Sequence, residues 1–231
     1  MAVLFDFNGT LVFDTPIQVR AWDLTSRARY GRGVTAEEYA SRLSGLDNVS
    51  TAPLLAGRPV SPEEAEACSR EKESRYFSIC ASDPSFRLVP GAEAFLDALA
   101  ARGERFTIAS SASEQNMDRY FALLSLSRWF SRGLVVCGSR SLPGKPEPAI
   151  FLEAMRRLEV RPEQTLIFED SPAGLEAARR SGARAAAVAG TQSPQTLARL
   201  PGLAAVVSDF TQLPLLLGLL PGAQINTGDF K

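Results

Sequence analysis

Four short segments carry the residue types that could do chemistry together: Asp6-Phe7-Asn8-Gly9-Thr10, Ser110-Ser111, Gly144-Lys145-Pro146 and Glu169-Asp170-Ser171. They supply a carboxylate, a small hydroxyl, a cation and an acidic pair. Carboxylate oxygens suit a hard divalent cation such as magnesium, and a lysine with a hydroxyl suits the oxygens of a phosphoryl group. The chain of 231 residues holds no histidine. That excludes Ser-His-Asp and Cys-His nucleophile systems, histidine general bases and histidine metal sites. Carboxylates, lysines, hydroxyls or an oxygen-bound metal must do any catalysis.

These segments need elements to hold them. Ala2 to Phe7, Arg105 to Ala109, Leu134 to Cys137, Thr165 to Phe168, Ala185 to Ala189 and Ala204 to Val207 are short, mostly apolar and β-prone. Continuous rather than alternating apolarity predicts strands buried on both faces, as in a parallel sheet. Helical patterns separate them: Phe95, Leu96, Leu99 and Ala100 share one face, and Ile150, Phe151, Ala154, Met155 and Leu158 another. Alternating strand and helix predict an α/β doubly wound, Rossmann-like core, whose ligands bind beyond the carboxyl ends of the strands. The four segments fall at those ends.

Residues 14–85 differ in texture. They carry no convincing strand, and Thr35-Ala-Glu-Glu and Ser61-Pro-Glu-Glu read as capping boxes. Helices are expected at about 16–30, 35–43, 49–57 and 62–81. The stretch reads as an α-helical domain inserted after the first strand, with 1–13 and 86–231 forming the core domain. The end after Pro221 looks frayed and takes no role.

Composition narrows the partners. With 25 basic against 26 acidic residues and a net charge of −1, nothing marks a nucleic-acid or acidic-membrane partner. The N-terminus turns acidic at Asp6, too early for a signal peptide. The apolar run from Leu213 to Leu220 is broken by Pro214 and Gly218 and is too short to span a bilayer. Cys68, Cys80 and Cys137 are expected as reduced, partly buried thiols. The expectation is a cytoplasmic monomer acting on a small phosphorylated molecule.

The segments Phe5-Asp-Phe-Asn-Gly-Thr-Leu-Val, Ile108-Ala-Ser-Ser, Gly144-Lys-Pro-Glu-Pro-Ala-Ile-Phe and Phe168-Glu-Asp-Ser-Pro-Ala-Gly resemble the motifs of the haloacid dehalogenase superfamily. The resemblance is to the subgroup of β-phosphoglucomutase and many sugar-phosphate phosphatases, and it runs in the family's order from residue 5 to residue 174. It implies a core with an inserted helical cap, and Asp6 as a nucleophile forming an aspartyl-phosphate. It also implies Mg2+ held by Asp6, the backbone carbonyl of Asn8 and Asp170, with Glu169 on the metal's outer shell or orienting its waters. Ser110 and Lys145 would grip the phosphate, with Thr10 and Ser111 as further substrate contacts. Ser110 could equally cap a helix, and Glu169 could be a purely structural acid.

One departure matters. Phosphatases of the superfamily usually carry a second aspartate, a general acid and base, where this chain has Asn8. An amide can hydrogen-bond the leaving oxygen but cannot give it a proton, a loss of about 10²–10⁴-fold. A slow phosphatase favouring acyl or aryl phosphates, a proton from another side chain such as one of the cap, or deamidation at Asn8-Gly9 would each fit; so would a substitution that traps substrate. In the cap, Gln18 replaces a common histidine and Trp22 matches an aromatic position. The loop around Gly45 resembles a substrate-specificity loop, with Asp47 and Asn48 where the mutase pattern is missing. Lys72 with Tyr76 resembles a Lys-x-x-x-Tyr element whose lysine contacts substrate, although a lysine on a polar helix is ordinarily solvated. Trp22 and Trp129 are expected in core or interdomain packing, and the arginines from Arg20 to Arg32 on an exposed helix face. The functional expectation is a magnesium-dependent phosphatase of small phosphorylated metabolites, sugar phosphates among them, with the cap closing over the substrate. The rivals are a phospho-ligand binding protein that lost turnover and a phosphoglucomutase-like isomerase.

Overall fold

Strand β1, Ala2–Phe5, is apolar along its whole length and every residue is buried. Such a strand needs a pairing strand on each side and a packed layer on each face. The computed structural model, which describes residues 1–43, 46, 48–139 and 141–220, supplies both. β2 (Arg105–Ser110), β3 (Val136–Cys137), β4 (Thr165–Glu169), β5 (Arg184–Val188) and β6 (Leu203–Val207) join β1 in a sheet ordered β3-β2-β1-β4-β5-β6. Every pairing is parallel, with Leu4 opposite Thr107 on one side and Ile167 on the other.

The two-residue alternation of β1 and β4 divides the core. Leu4 and Ile167 face a layer with Ile150, Phe151, Ala154 and Met155 of α7 (Ala149–Leu158) and Leu175, Ala177 and Ala178 of α8 (Pro172–Arg180). Phe5 and Phe168 face the other way and stack at 5.5 Å between ring centroids. Phe95, from α5 (Ala92–Ala101), and Phe210 stack on each other at 5.6 Å and meet that pair edge-on. Each of these fully buried rings contributes about 1.5–3 kcal/mol by leaving water.

Helix starts follow local chemistry. Ser113 accepts from Asn116 N at the head of α6 (Glu114–Leu124), and Ser171 from Gly174 N at the head of α8, with Pro172 in the first turn. The strands end slightly differently from the sequence expectation. β1 stops at Phe5 rather than Phe7, because the Phe7 carbonyl accepts from the nitrogens of Thr10, Leu11 and Val12 and turns the chain into a tight loop. β3 loses Leu134 to a 3-10 turn at Arg132–Leu134.

The chain divides into two compact units, Met1–Phe13 with Arg87–Lys231, and Asp14–Phe86. The second is helical: α1 (Thr15–Tyr30), α2 (Ala36–Glu38), α3 (Asn48–Ala56) and α4 (Pro62–Ser82). The stretch expected as one helix over 35–43 is three α-helical residues followed by a π-helical turn, Tyr39–Leu43. Thr35 and Ser61 make their N-cap bonds to Glu38 N and Glu64 N. Trp22, Val34, Leu43, Ala52, Leu55, Ala65 and Cys68 form this unit's own core.

Cys68, Cys80 and Cys137 are free thiols and buried. Trp129 corrects its expectation: it is half-buried at the surface, where its indole N–H donates to Asp97 at 2.7 Å and the Arg128 guanidinium lies over its ring. The basic stretch is not uniformly exposed either, since Arg29 is half-buried against Glu71 at 2.8 Å. Among the described residues no helix is long and apolar enough to cross a membrane. The end of the chain from Pro221, with Gly45 and Asp47, lies outside the described residues.

Candidate active site

Asp6 follows the last residue of β1, and its backbone N–H donates to the Phe168 carbonyl at 2.9 Å, which keeps it beside the end of β4. Glu169 ends β4, and Asp170 comes next. The parallel register thereby brings three carboxyls to one edge of the sheet. They offer oxygens that all lie within 4.8 Å of one another, and all three residues are buried.

One lysine serves this cluster. Lys145 Nζ donates to Asp6 Oδ1 and to Glu169 Oε2, at 2.6 Å each, with the lysine itself 9% exposed. Glu169 is hydrogen-bonded at both oxygens: its Oε1 also accepts from Asp170 N, Ser171 N and Ser171 Oγ at 2.9–3.0 Å. Asp170 is held by two hydroxyls, Thr10 Oγ1 to Oδ1 at 3.4 Å and Thr191 Oγ1 to Oδ2.

Electrostatics separates these carboxyls. Burial raises Asp6 to about 7, reinforced by the charge of Glu169 and opposed by Lys145. Asp170 is pushed well above the ordinary range by burial and then by Glu169 and Asp6. Burial also works against the ionised Glu169, but Lys145 and the Ser171 donors outweigh it and hold this carboxyl low. Lys145 is raised although burial opposes its charge, because Asp6 and Glu169 flank it. Three acids against one lysine leave negative charge uncompensated, and a divalent cation with oxygen ligands fits that imbalance.

Two glycines make the close approach possible. Gly9 has a φ of 85°, and a Cβ there would lie 2.1 Å from Asp170 Oδ2. A Cβ on Gly190, after β5, would lie 1.7 Å from the Gly9 carbonyl oxygen. Gly190→Ala must therefore push the two loops apart, and the expected cost is about 1–3 kcal/mol or more, readable as a lower urea midpoint.

The other predicted residues divide. Ser110 ends β2, is 2% exposed and accepts from Ala112 N at 3.2 Å; Ser111 next to it is exposed. Thr10 is fully buried, and its hydroxyl donates to Asp170 Oδ1 at 3.4 Å. Asn8 is half-buried and donates from Nδ2 to the hydroxyl of Tyr120 at 3.2 Å. The Gly9 nitrogen, which would have to attack the Asn8 side chain for deamidation, donates to Val12 O at 2.7 Å. That bond works against the conversion.

Lys72 belongs to the helical unit and is not on a solvated face. It is 3% exposed, donates to Gln18 Oε1 at 2.6 Å and Glu73 Oε1 at 2.9 Å, and lies over the rings of Trp22 and Tyr76. Gln18 also donates to Asp14, which accepts the Tyr76 hydroxyl as well, and Asn48 donates to Glu73 at 2.7 Å.

Thr191, Gly190 and Tyr120 were not singled out from the sequence. Gly190 and Thr191 follow the carboxyl end of the alanine-rich fifth strand, where no charged residue marks them. Tyr120 left no local signal, since its contact with Asn8 spans 112 positions.

Fold and site together define an α/β protein with a buried acidic cluster, braced by one lysine, at the carboxyl edge of a parallel sheet. The chain belongs to the haloacid dehalogenase-like hydrolase family, whose profile matches residues 1–182. It is 28% identical over 184 residues to a phosphorylated carbohydrates phosphatase of Thermotoga maritima, covering 78% of this chain and 81% of that protein. It is 27% identical to a 6-phosphogluconate phosphatase of Escherichia coli, covering 78% and 79%. Among solved structures, a HAD hydrolase of family IA, variant 3, from Entamoeba histolytica superposes with a TM-score of 0.86 at 28% identity, over 93% of this chain and 98% of that one.

Proposed function

We propose that this hydrolase is a magnesium-dependent phosphatase of small phosphorylated metabolites, sugar phosphates among them, with Asp6 as its nucleophile. The observation that carries the reading is the clamp on Asp6: Lys145 bonds one carboxylate oxygen at 2.6 Å in a cluster of three carboxyls. Fixing Oδ1 orients Oδ2 for attack on phosphorus. The Asp6–O–P bond forms as the bond from phosphorus to the leaving oxygen breaks, and water then hydrolyses the aspartyl-phosphate and releases inorganic phosphate. Lys145 and Ser110 hold phosphoryl oxygens, and Ser111 is a further contact.

Asp6, Asp170 and the backbone carbonyl of Asn8 would hold magnesium directly. Glu169, already bonded at both oxygens, suits the outer shell. When bound, the ion supplies charge neutralisation for the phosphoryl group and the carboxylates. Gly45 and Lys72 are proposed as substrate contacts on the strength of the resemblance, and the unit Asp14–Phe86 as its cap. The relatives that act on phosphorylated carbohydrates and 6-phosphogluconate support the substrate class. A monomer is the proposed assembly.

Asn8 favours a second reading, a phospho-ligand binding protein without turnover. Phosphate release from sugar, nucleotide, acyl and aryl phosphates, with magnesium and with a chelator, separates the two. Release that stops with the chelator is expected. Magnesium-dependent ligand binding with no release from any compound would hand the case to the binding protein.

A further inference from the structure

We propose that Thr191 is a positioning residue for the cation site, holding the Asp170 carboxylate in the rotation at which it takes a divalent metal; the inference rests on the magnesium site of the function proposed above. Thr191 lies beyond residues 1–182, the part of the chain that the family profile matches. It follows β5 in a loop whose backbone is fixed by its neighbours. Ala189 N donates to Val207 O at 2.8 Å, and Gly190 N to Val188 O at 2.9 Å. Gly190 packs so closely on the loop after β1 that a Cβ there would lie 1.7 Å from the Gly9 carbonyl oxygen. That close approach leaves the next residue beside the acidic cluster, and the Thr191 hydroxyl donates to Asp170 Oδ2.

The two braces on Asp170 are unequal. Thr10 reaches Oδ1 only at 3.4 Å, beyond the usual O–H···O range of about 2.5–3.0 Å, whereas the Thr191 bond is close. Asp6 and Glu169 bring carboxylate oxygens within 4.8 Å of those of Asp170, so an unbraced Asp170 would turn away from their charge. An ionised carboxylate only accepts, so the hydroxyl must be the donor. The two oxygens of the group are equivalent, and the bond therefore acts on its rotation alone. With Oδ2 pinned, the carboxylate is already turned when a metal arrives, and no ordering has to be drawn from the binding energy. Partners that orient a metal's ligands in this way are worth about 10–100-fold in affinity.

Thr191→Val removes the hydroxyl and keeps the shape, while Thr191→Ser keeps the hydroxyl and removes the methyl group. Thr191 is exposed, so neither change threatens the fold. The melting temperature of chelator-stripped protein, followed against magnesium concentration without substrate, gives an apparent Kd for the metal. Thr191→Val should raise that Kd about tenfold, and Thr191→Ser should keep it near the wild-type value. In turnover on the best substrate found, Thr191→Val should need about tenfold more magnesium for half its maximal rate. An unchanged Kd in Thr191→Val, with or without a lower metal-free melting temperature, overturns the inference, and so does an equal rise in both variants. A wild type whose melting temperature ignores magnesium overturns the metal site, and this inference with it. Magnesium binding without phosphate release from any compound overturns the phosphatase reading alone, with the Kd values still deciding the role of Thr191.

Discussion

Two substitutions two positions apart are expected to move phosphate release in opposite directions. Asp6→Asn should bring it to background, a loss of roughly 10⁴-fold or more, because it removes the nucleophile and with it the covalent route. Asn8→Asp should raise kcat on sugar phosphates by up to ~10²–10⁴-fold, since a carboxyl at that position can protonate the leaving oxygen and later deprotonate water. The gain should shrink for aryl and acyl phosphates, whose leaving groups depart without a proton. Asp6→Asn leaves Lys145 its bond to Glu169 at 2.6 Å and relieves the crowding of carboxylates, so the fold should survive and circular dichroism should be unchanged. Steady-state kinetics of the three proteins on one aryl and one sugar phosphate decides the matter. Equal gains on both substrates would mean that position 8 does not act on the leaving group.

Much of this site was legible because parallel sheets write themselves plainly into sequence. Ala2 to Phe5 is continuously apolar because both its faces are covered, and the same holds for Leu166 to Phe168. Once such runs are recognised as neighbours, the residues after them must lie at one edge, and Asp6, Glu169 and Asp170 do. Lys145 was legible only as part of the motif register; its bonds to both Asp6 and Glu169 depend on a loop with no periodicity. The braces were less legible still. The bond from Thr10 to Asp170 spans 160 positions, and the spacing of Thr10 from Asp6 carries no information about it. Gly190 and Thr191 follow an alanine-rich strand whose end resembles any turn. Tyr120 sits in an amphipathic helix where a buried aromatic ordinarily means packing, and only three dimensions bring its hydroxyl to Asn8. Charges and strand ends are local facts; hydrogen bonds across loops are not.

The crowded carboxyls also predict how stability depends on pH. Metal-free protein should lose stability as pH rises from 5 to 8, the reverse of what paired surface acids produce. Asp6 has its carboxyl raised from 3.8 to about 7 by burial and by Glu169, against the opposing pull of Lys145, and Asp170 is raised as well. A group bound to its proton more tightly when folded stabilises the fold fully below its unfolded value and loses that contribution as pH rises through its folded value. The window is therefore about pH 4 to 7, and the loss is on the order of a few kcal/mol. Few other shifted groups act in that window. The chain has no histidine, the Cys80 and Cys137 thiols are pushed up to about 12 by burial, and Glu153 and Glu176, held at about 2 by their arginine partners, act at lower pH with the opposite sign. A divalent cation among the same oxygens favours their ionised forms, so magnesium should raise the melting temperature more at pH 8 than at pH 5. Urea midpoints in chelator at pH 5, 6.5 and 8, with parallel melts in magnesium, test both halves. A midpoint that stays flat or climbs across that range would mean that the excess charge is already neutralised by the protein itself, and the case for a cation at Asp6 and Asp170 would lose its electrostatic footing.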